Sequence, residues 1–90
     1  MRVEINESIR KVTVYEYDSN IVDVSQELRA WLIKEHRLLH SRDYDFWLTP
    51  GERSATFKFY DENNDTSGKT PIGFETIFKL KWDGNNINAS

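Results

Sequence analysis

The chain contains no cysteine, so neither disulfide bonds nor thiolate metal sites can stabilise its fold, and we expect a reducing, cytoplasmic setting. It also has no apolar run of about eighteen residues, the minimum for a membrane-spanning helix. The opening stretch MRVEINESIRK has no apolar run of about seven residues, the core of a secretory signal. We therefore predict that the protein neither crosses a membrane nor carries a secretory signal.

An excess of charge of one sign is missing too. Twelve basic and 15 acidic residues give a net charge of −3, and the two signs are interspersed along the chain. Nucleic acid is therefore not the expected partner, because phosphate-binding domains gather their basic residues into one stripe. The content of 38% hydrophobic and 13% aromatic residues is typical of a globular protein. We predict a single domain over residues 1–84 and a flexible tail over residues 85–90.

Alternating hydrophobicity predicts a β-hairpin at the start of the chain. The segments RVEIN and IRKVTVYEY are joined by NES, and Tyr15 and Tyr17 fall on the face opposite the apolar positions. Those apolar positions are Val3, Ile5, Val12 and Val14. After the polar residues DSN, apolar residues recur at helical spacing, which predicts a helix from about Ile21 to Leu39.

Three further strands are predicted after the helix. Their segments are YDFWLTPG, ATFKFYD and GFETIFKLKW, each with apolar and polar residues in alternation. In the first, Trp47 falls on the face opposite Phe46 and Leu48, and Pro50-Gly51 ends the strand in a turn. The predicted fold class is α+β, a roll in which one helix packs across one face of a mixed sheet of four to five strands, in the order ββαβββ.

This pattern resembles the ubiquitin-like β-grasp family. The similarity rests on the stretches MRVEINESIRKVTVYEYD, IVDVSQELRAWLIKEH, DYDFWL and TIFKLKW. It implies a β-grasp-like roll whose final strand returns beside the first. It further implies an exposed apolar patch, which by position falls at Trp47, Ile77 and Ile9. Conjugated members of the family end in a Gly-Gly tail, whereas this chain continues into WDGNNINAS, so covalent attachment to targets is not implied.

Residues 60–73, YDENNDTSGKTPIG, contain fragments of two ligand-binding loops. A calcium loop would use Asn63 and Asp65, but its twelfth position holds Ile72 instead of the bidentate Glu. A phosphate-binding loop needs a glycine five residues before Gly68, where Asn63 stands. We interpret the segment as a solvated turn between strands, and we expect no cofactor.

The remaining candidates for chemistry are histidines and acids. His36 and His40 have the one-turn spacing of a metal pair, and Asp43 or Asp45 is a conceivable third ligand. The preferred interpretation places both histidines at a helix end, where the dipole favours cations. Without cysteine or a serine in a nucleophile elbow, we predict no metal site, no catalytic residues and no enzyme activity.

The sheet face away from the helix is the predicted functional surface. Aromatic residues with basic neighbours are typical of protein-binding surfaces, because Trp and Tyr bury a large area at small entropic cost. The predicted partner-binding residues are Ile9, Tyr15, Tyr17, Trp47, Ile77 and Lys79. Cross-strand aromatic pairs also stabilise an exposed face on their own, and a register error of one residue would invert the assignment.

Three functional hypotheses follow. The first is a non-enzymatic module that binds a protein partner through this aromatic face. The second is a small inhibitor, encoded by a virus or mobile element, that occludes the surface of a host enzyme. The third is single-stranded nucleic-acid binding, with bases stacked on the aromatic residues and with Lys58 and Lys79 on the phosphates.

Overall fold

The computed structural model describes residues 1–60, 70–71 and 73–84. In chain order its elements are β1 (Arg2–Asn6), β2 (Lys11–Tyr15), α1 (Ile21–His36), β3 (Tyr44–Thr49), a short 3-10 turn (Pro50–Glu52), β4 (Ser54–Phe59) and α2 (Phe74–Trp82). The α+β class is confirmed, whereas the element order within these residues is ββαββα. The ligand-loop positions 61–69 and 72 and the predicted tail at 85–90 lie outside the described residues.

The strands form one sheet in the order β1-β2-β4-β3, in which every neighbouring pair is antiparallel. The predicted hairpin is confirmed, because Val3 lies opposite Val14 and Ile5 lies opposite Val12. The prediction of a mixed sheet is wrong for the described residues. It required a final strand beside the first, and that segment is not a strand.

Helix α1 begins where the sequence predicts and ends earlier. The Asn20 side chain accepts a hydrogen bond from the Val22 amide at 2.8 Å, which caps the first turn. Arg37 adopts the left-handed conformation (φ 58°), and its amide donates to the Ile33 carbonyl, which ends the helix three residues before Leu39. The apolar stripe of Ile21, Val24, Leu28 and Leu32 is buried against the sheet.

The predicted fifth strand is wrong: residues 74–82 form helix α2. Phe74, Phe78 and Trp82 are four residues apart, a spacing that fits one face of a strand and one face of a helix equally well. Leu80 distinguishes the helix from a strand, because a strand would bury Leu80 beside Phe78, whereas here its side chain is 80% exposed. The acidic residue in the first turn and the lysines in the last turn match the helix dipole and were the available sequence signal.

Both helices pack on the same face of the sheet, so the prediction of a single covering helix is also wrong. Trp31 of α1 joins them, with ring centroids 5.9 Å from Phe74, 5.5 Å from Phe78 and 5.6 Å from Trp82. The core below is built on Phe57 and other buried residues of β4 and its neighbours. A second helix explains why a 90-residue chain can cover four strands on one side.

Arg10 connects the β1–β2 turn to the start of α2. Its guanidinium is buried and donates to the Glu75 carboxylate at 2.8 Å, to the Thr70 carbonyl at 2.9 Å and to the Pro71 carbonyl at 2.6 Å. A further bond of 3.2 Å reaches the Tyr60 carbonyl, which also accepts from the Thr70 amide. One side chain thus holds together the two ends of the segment between β4 and α2.

The outer edge of β1 is covered by the end of α2. The Val3 amide donates to the Asp83 carboxylate at 2.8 Å, and the Lys79 ammonium donates to the Val3 carbonyl at 2.7 Å. The Gly84 amide adds a bond of 2.9 Å to the Met1 carbonyl. These groups take the place of a neighbouring strand at Val3, which hinders the start of this edge from pairing with another chain.

Candidate functional site

The second face of the sheet has no helix on it among the described residues. The strand registers place its side chains in three rows: Arg2, Tyr15, Ser54 and Thr49; Glu4, Thr13, Thr56 and Trp47; Asn6, Lys11, Lys58 and Asp45. We call this surface the open face. It is polar over most of its area, and the aromatic residues from the strands themselves are Tyr15 and Trp47.

The residues at the centre of the open face are nearly inaccessible to solvent. Ser54 and Thr56 of the inner strand β4 are only 2% and 5% exposed, although they lie on the side without helices. Their cross-strand neighbours include Tyr15 and Trp47, whose larger side chains stand above them. From strand spacing and rise, Tyr15 and Trp47 lie about 12 Å apart across these two residues. Nothing in the sequence distinguishes Ser54 and Thr56 as nearly buried residues, because small hydroxyl residues are common on solvated faces.

Tyr15 and Tyr17 form an aromatic pair on the β2 side of Ser54. Their rings are stacked with centroids 6.5 Å apart and planes inclined by 6°, and the Arg2 guanidinium lies 4.5 Å from the Tyr15 ring centre. Partial burial, with Glu4 adding to the effect, raises the pKa of the Tyr15 hydroxyl above its usual value. The phenol therefore stays neutral at physiological pH and can donate a hydrogen bond.

The structure brings together only part of the predicted partner-binding set. Tyr15, Tyr17 and Trp47 share the open face, and Tyr17 and Trp47 are 54% and 41% exposed. Ile9 is exposed at the tip of the β1–β2 turn. Ile77 and Lys79 lie on α2, which packs on the opposite face, so the expectation that they join Trp47 in one surface is wrong. The cause is the helical conformation of residues 74–82.

The lysines of the region have distinct surroundings. Lys11 and Lys58 are directly opposite each other on the open face, and Asp45 lies on the other side of Lys58. The negative charge of Asp45 offsets a repulsion between like charges that would otherwise destabilise the pair. Lys79 is bound to the Val3 carbonyl and lies 3.7 Å from Asp83, so it serves the fold.

The two histidines belong to different aromatic clusters. His36 contacts the rings of Trp31 and Phe74, each at a centroid distance of 4.8 Å. His40 stacks on Tyr44 at 5.8 Å and is 3.9 Å from the Asp45 carboxylate. Within residues 1–60, 70–71 and 73–84, no group of three His, Cys, Asp or Glu side chains is placed to hold a metal ion.

Two open depressions adjoin the aromatic residues. One, of about 350 Å³, lies over β1 and β2 and is lined by Glu4, Lys11, Thr13 and Tyr15 among others. The other, of about 490 Å³, lies between Tyr17, the start of α1 and Arg53. The Arg53 guanidinium donates to the Tyr17 carbonyl at 2.9 Å, which fixes the chain that carries the Tyr17 ring. Both are surface hollows, with the shape of a docking surface more than that of an enclosed ligand pocket.

Comparison with protein-family models, curated proteins and solved structures gave no significant match to this chain. Neither helix in the described part of the chain has both the length and the hydrophobicity that a membrane span requires.

Proposed function

We propose that the protein is a non-enzymatic interaction module that binds a protein partner through the open face of its sheet. The contact residues are Tyr15, Tyr17 and Trp47, with Ile9 at the adjoining hairpin tip. The relationship to ubiquitin-like β-grasp proteins stays part of this proposal, on the strength of the hairpin followed by a covering helix.

The observation that carries the proposal is the exposure of Trp47 beside the nearly buried Ser54 and Thr56. A large aromatic ring above small hydroxyl side chains offers apolar area together with hydrogen-bonding groups. Interfaces concentrate their binding energy in such Trp and Tyr residues, surrounded by polar groups that exclude water. Arg2, Glu4, Lys58 and Asp45 would supply that polar rim.

The proposal is tested by comparing partner capture with stability in the same variants. Trp47→Ala should weaken binding of the captured protein about thirtyfold, the equivalent of about 2 kcal/mol for a central Trp. Because the ring is already partly solvated, the melting temperature should fall by only a few degrees. Partners captured by the immobilised protein would be identified by mass spectrometry, and affinity would be measured by titration calorimetry.

Leu80→Ala is the matched control, because Leu80 is more exposed than Trp47 and lies on α2, away from the open face. It should bind the partner normally. Equal binding by Trp47→Ala and wild type would place the partner elsewhere, with the polar side of α1 at Glu27, Lys34 and Arg37 as the next surface to test.

The two alternative functions differ in the material that the immobilised protein should retain. An inhibitor of a host enzyme would use the same face and would be recognised by loss of that enzyme's activity in the complex. Single-stranded nucleic-acid binding would give nuclease-sensitive material. It is less favoured, because Lys79, one of its two predicted phosphate contacts, is held by Val3 and Asp83 on the far side of the sheet.

A further inference from the structure

The outer edge of β3 differs from the covered edge of β1. The Tyr60 amide donates to the Asp43 carbonyl at 2.9 Å, which fixes the phase of hydrogen bonding between β3 and β4. Because backbone groups alternate in direction along an antiparallel strand, Asp45 and Trp47 direct theirs toward β4. Phe46 and Leu48 therefore direct their amides and carbonyls outward, away from the sheet.

Most of these outward groups have no hydrogen-bond partner in the described part of the chain. The Phe46 amide donates to the carboxylate of its own neighbour Asp45 at 2.9 Å. The Ser41 amide donates to the Tyr44 carbonyl at 2.8 Å, which closes the start of the edge. Within residues 1–60, 70–71 and 73–84, the Phe46 carbonyl and both backbone groups of Leu48 make no hydrogen bond. An unpaired edge of this kind is a template for another strand.

We propose that a second copy of this chain pairs with β3, strand against antiparallel strand, about a twofold axis at Trp47. In this register Phe46 lies opposite Leu48 of the second copy, and the two residues exchange amide-to-carbonyl hydrogen bonds. Twofold symmetry repeats the exchange, so four bonds form. The two donated by the Leu48 amides need no rearrangement, and the two donated by the Phe46 amides replace the exposed Asp45 oxygens.

The side chains of β3 favour a second copy as the occupant. The register sets Phe46 against Leu48 on the helix side and Trp47 against Trp47 on the open face, so apolar groups meet at the centre. Asp45 falls opposite Thr49, and no like charges oppose each other. Twofold registers with Phe46 opposite Phe46 or Leu48 opposite Leu48 would set Trp47 against Asp45 or Thr49 and lack this complementarity.

The surroundings of the edge agree with this arrangement. On the helix side, an open groove of about 310 Å³ is lined by Ala30, Ile33 and Tyr44 together with the polar side chains of Gln26, Arg29 and His40, and Ile33 is an exposed apolar residue. A second copy on β3 brings its own α1 to this flank and covers the groove. Because each copy uses the same β3 edge, the contact is satisfied by two copies, and α2 blocks the edge of β1 at Val3; the assembly is a closed dimer with an eight-stranded sheet.

This inference does not depend on the proposed partner, because it concerns the purified protein alone. Sedimentation equilibrium should show a concentration-dependent shift from the 10.7 kDa monomer to twice that mass, without larger species. Trp47→Lys places like charges opposite each other at the axis and should weaken the dimer at least about tenfold. Tyr17→Lys, an exposed aromatic residue on the same face but away from the edge, should leave it unchanged.

The absence of cysteine allows the register itself to be tested. Trp47→Cys sets two thiols on directly opposed residues with Cα atoms about 4.5 Å apart, within disulfide reach. Asp45→Cys sets them four residue steps apart, about 13 Å, which is beyond reach. Under mild oxidation, the first variant should form a covalent dimer and the second should remain uncoupled.

Three results would overturn the inference. They are a wild-type protein that stays monomeric to about millimolar concentration, a dimer that persists unchanged in Trp47→Lys, and equal cross-linking of the two cysteine variants. Partner capture is measured separately, and Tyr17→Ala should impair it without changing the sedimentation of the protein. Failure of the dimer and failure of the proposed function are therefore distinguishable.

Discussion

Replacing Arg10 should destabilise the fold more than a comparable substitution of an exposed residue. Its guanidinium and the Glu75 carboxylate are both buried, with side chains 7% and 4% exposed and a separation of 2.8 Å. Arg10→Met keeps the apolar stem but leaves the carboxylate without its cation and the Thr70 and Pro71 carbonyls without a donor. Breaking a buried ion pair from one side costs about 3–5 kcal/mol, a large part of the stability of a domain of this size.

Glu75→Gln separates the charge from the carbonyl contacts. The amide oxygen of glutamine can still accept from Arg10, and the guanidinium keeps its bonds to Tyr60, Thr70 and Pro71. We expect a loss of about 3 kcal/mol, the lower end of the range for a buried ion pair broken from one side, because the guanidinium loses its counterion but keeps its hydrogen bonds. The Arg10→Met/Glu75→Gln double variant should recover part of the Arg10→Met loss, because no charge is then buried unpaired, but it should not reach wild-type stability.

Urea unfolding followed by tryptophan fluorescence would give the four free energies of this cycle. Two outcomes would refute the reasoning. If Glu75→Gln costs as much as Arg10→Met, the carbonyl contacts contribute little, and Arg10 acts only as a counterion. If Arg10→Met unfolds at the wild-type urea concentration, the buried network does not hold the fold at all.

The remaining predictions concern the core, acid stability and the loop after β4. Leu28→Ala should cost about 2–5 kcal/mol in urea unfolding, because Leu28 is fully buried, whereas Leu80→Ala on exposed α2 should cost less than about 0.5 kcal/mol. The Val3 amide, together with Lys79, lowers the pKa of Asp83 below its usual 3.8. Its contribution to stability is therefore complete above about pH 4 and is lost as the pH falls through the lowered pKa, so Asp83→Ala should flatten acid unfolding in that range. Calorimetric titration with calcium or ATP should show no binding heat, because residues 60–73 lack the required ligands, and a micromolar dissociation constant for either would contradict this.

The elements that the sequence predicts well are those in which only one periodicity fits. Alternation in RVEIN and KVTVY excludes a helix, and the stripe of Val24, Leu28 and Leu32 excludes a strand. Residues 74–82 satisfy both periods through Phe74, Phe78 and Trp82, and the deciding residue, Leu80, is apolar but exposed. Burial in three dimensions, which a pattern of residue types does not contain, settles that segment.

The residues of the candidate site were also predicted only in part. Trp47, Tyr15 and Tyr17 reach the open face because β2 and β3 keep the predicted register. Ile77 and Lys79 are lost from it because they depended on the misassigned strand. The role of Arg10 lies in contacts with residues that are 50 to 65 positions away in the chain, from Tyr60 to Glu75. No local pattern predicts such long-range contacts.

The cover that α2 places on β1 has a consequence during synthesis. The hairpin of β1 and β2 is made first, while Lys79 and Asp83, which satisfy the Val3 backbone, are made after all four strands. Until Lys79 and Asp83 are synthesised, the edge of β1 is uncovered. It can then pair with other nascent chains on the same messenger RNA, and such edges promote misassembly. A chain truncated after β4 should accumulate as aggregate instead of as a smaller soluble domain.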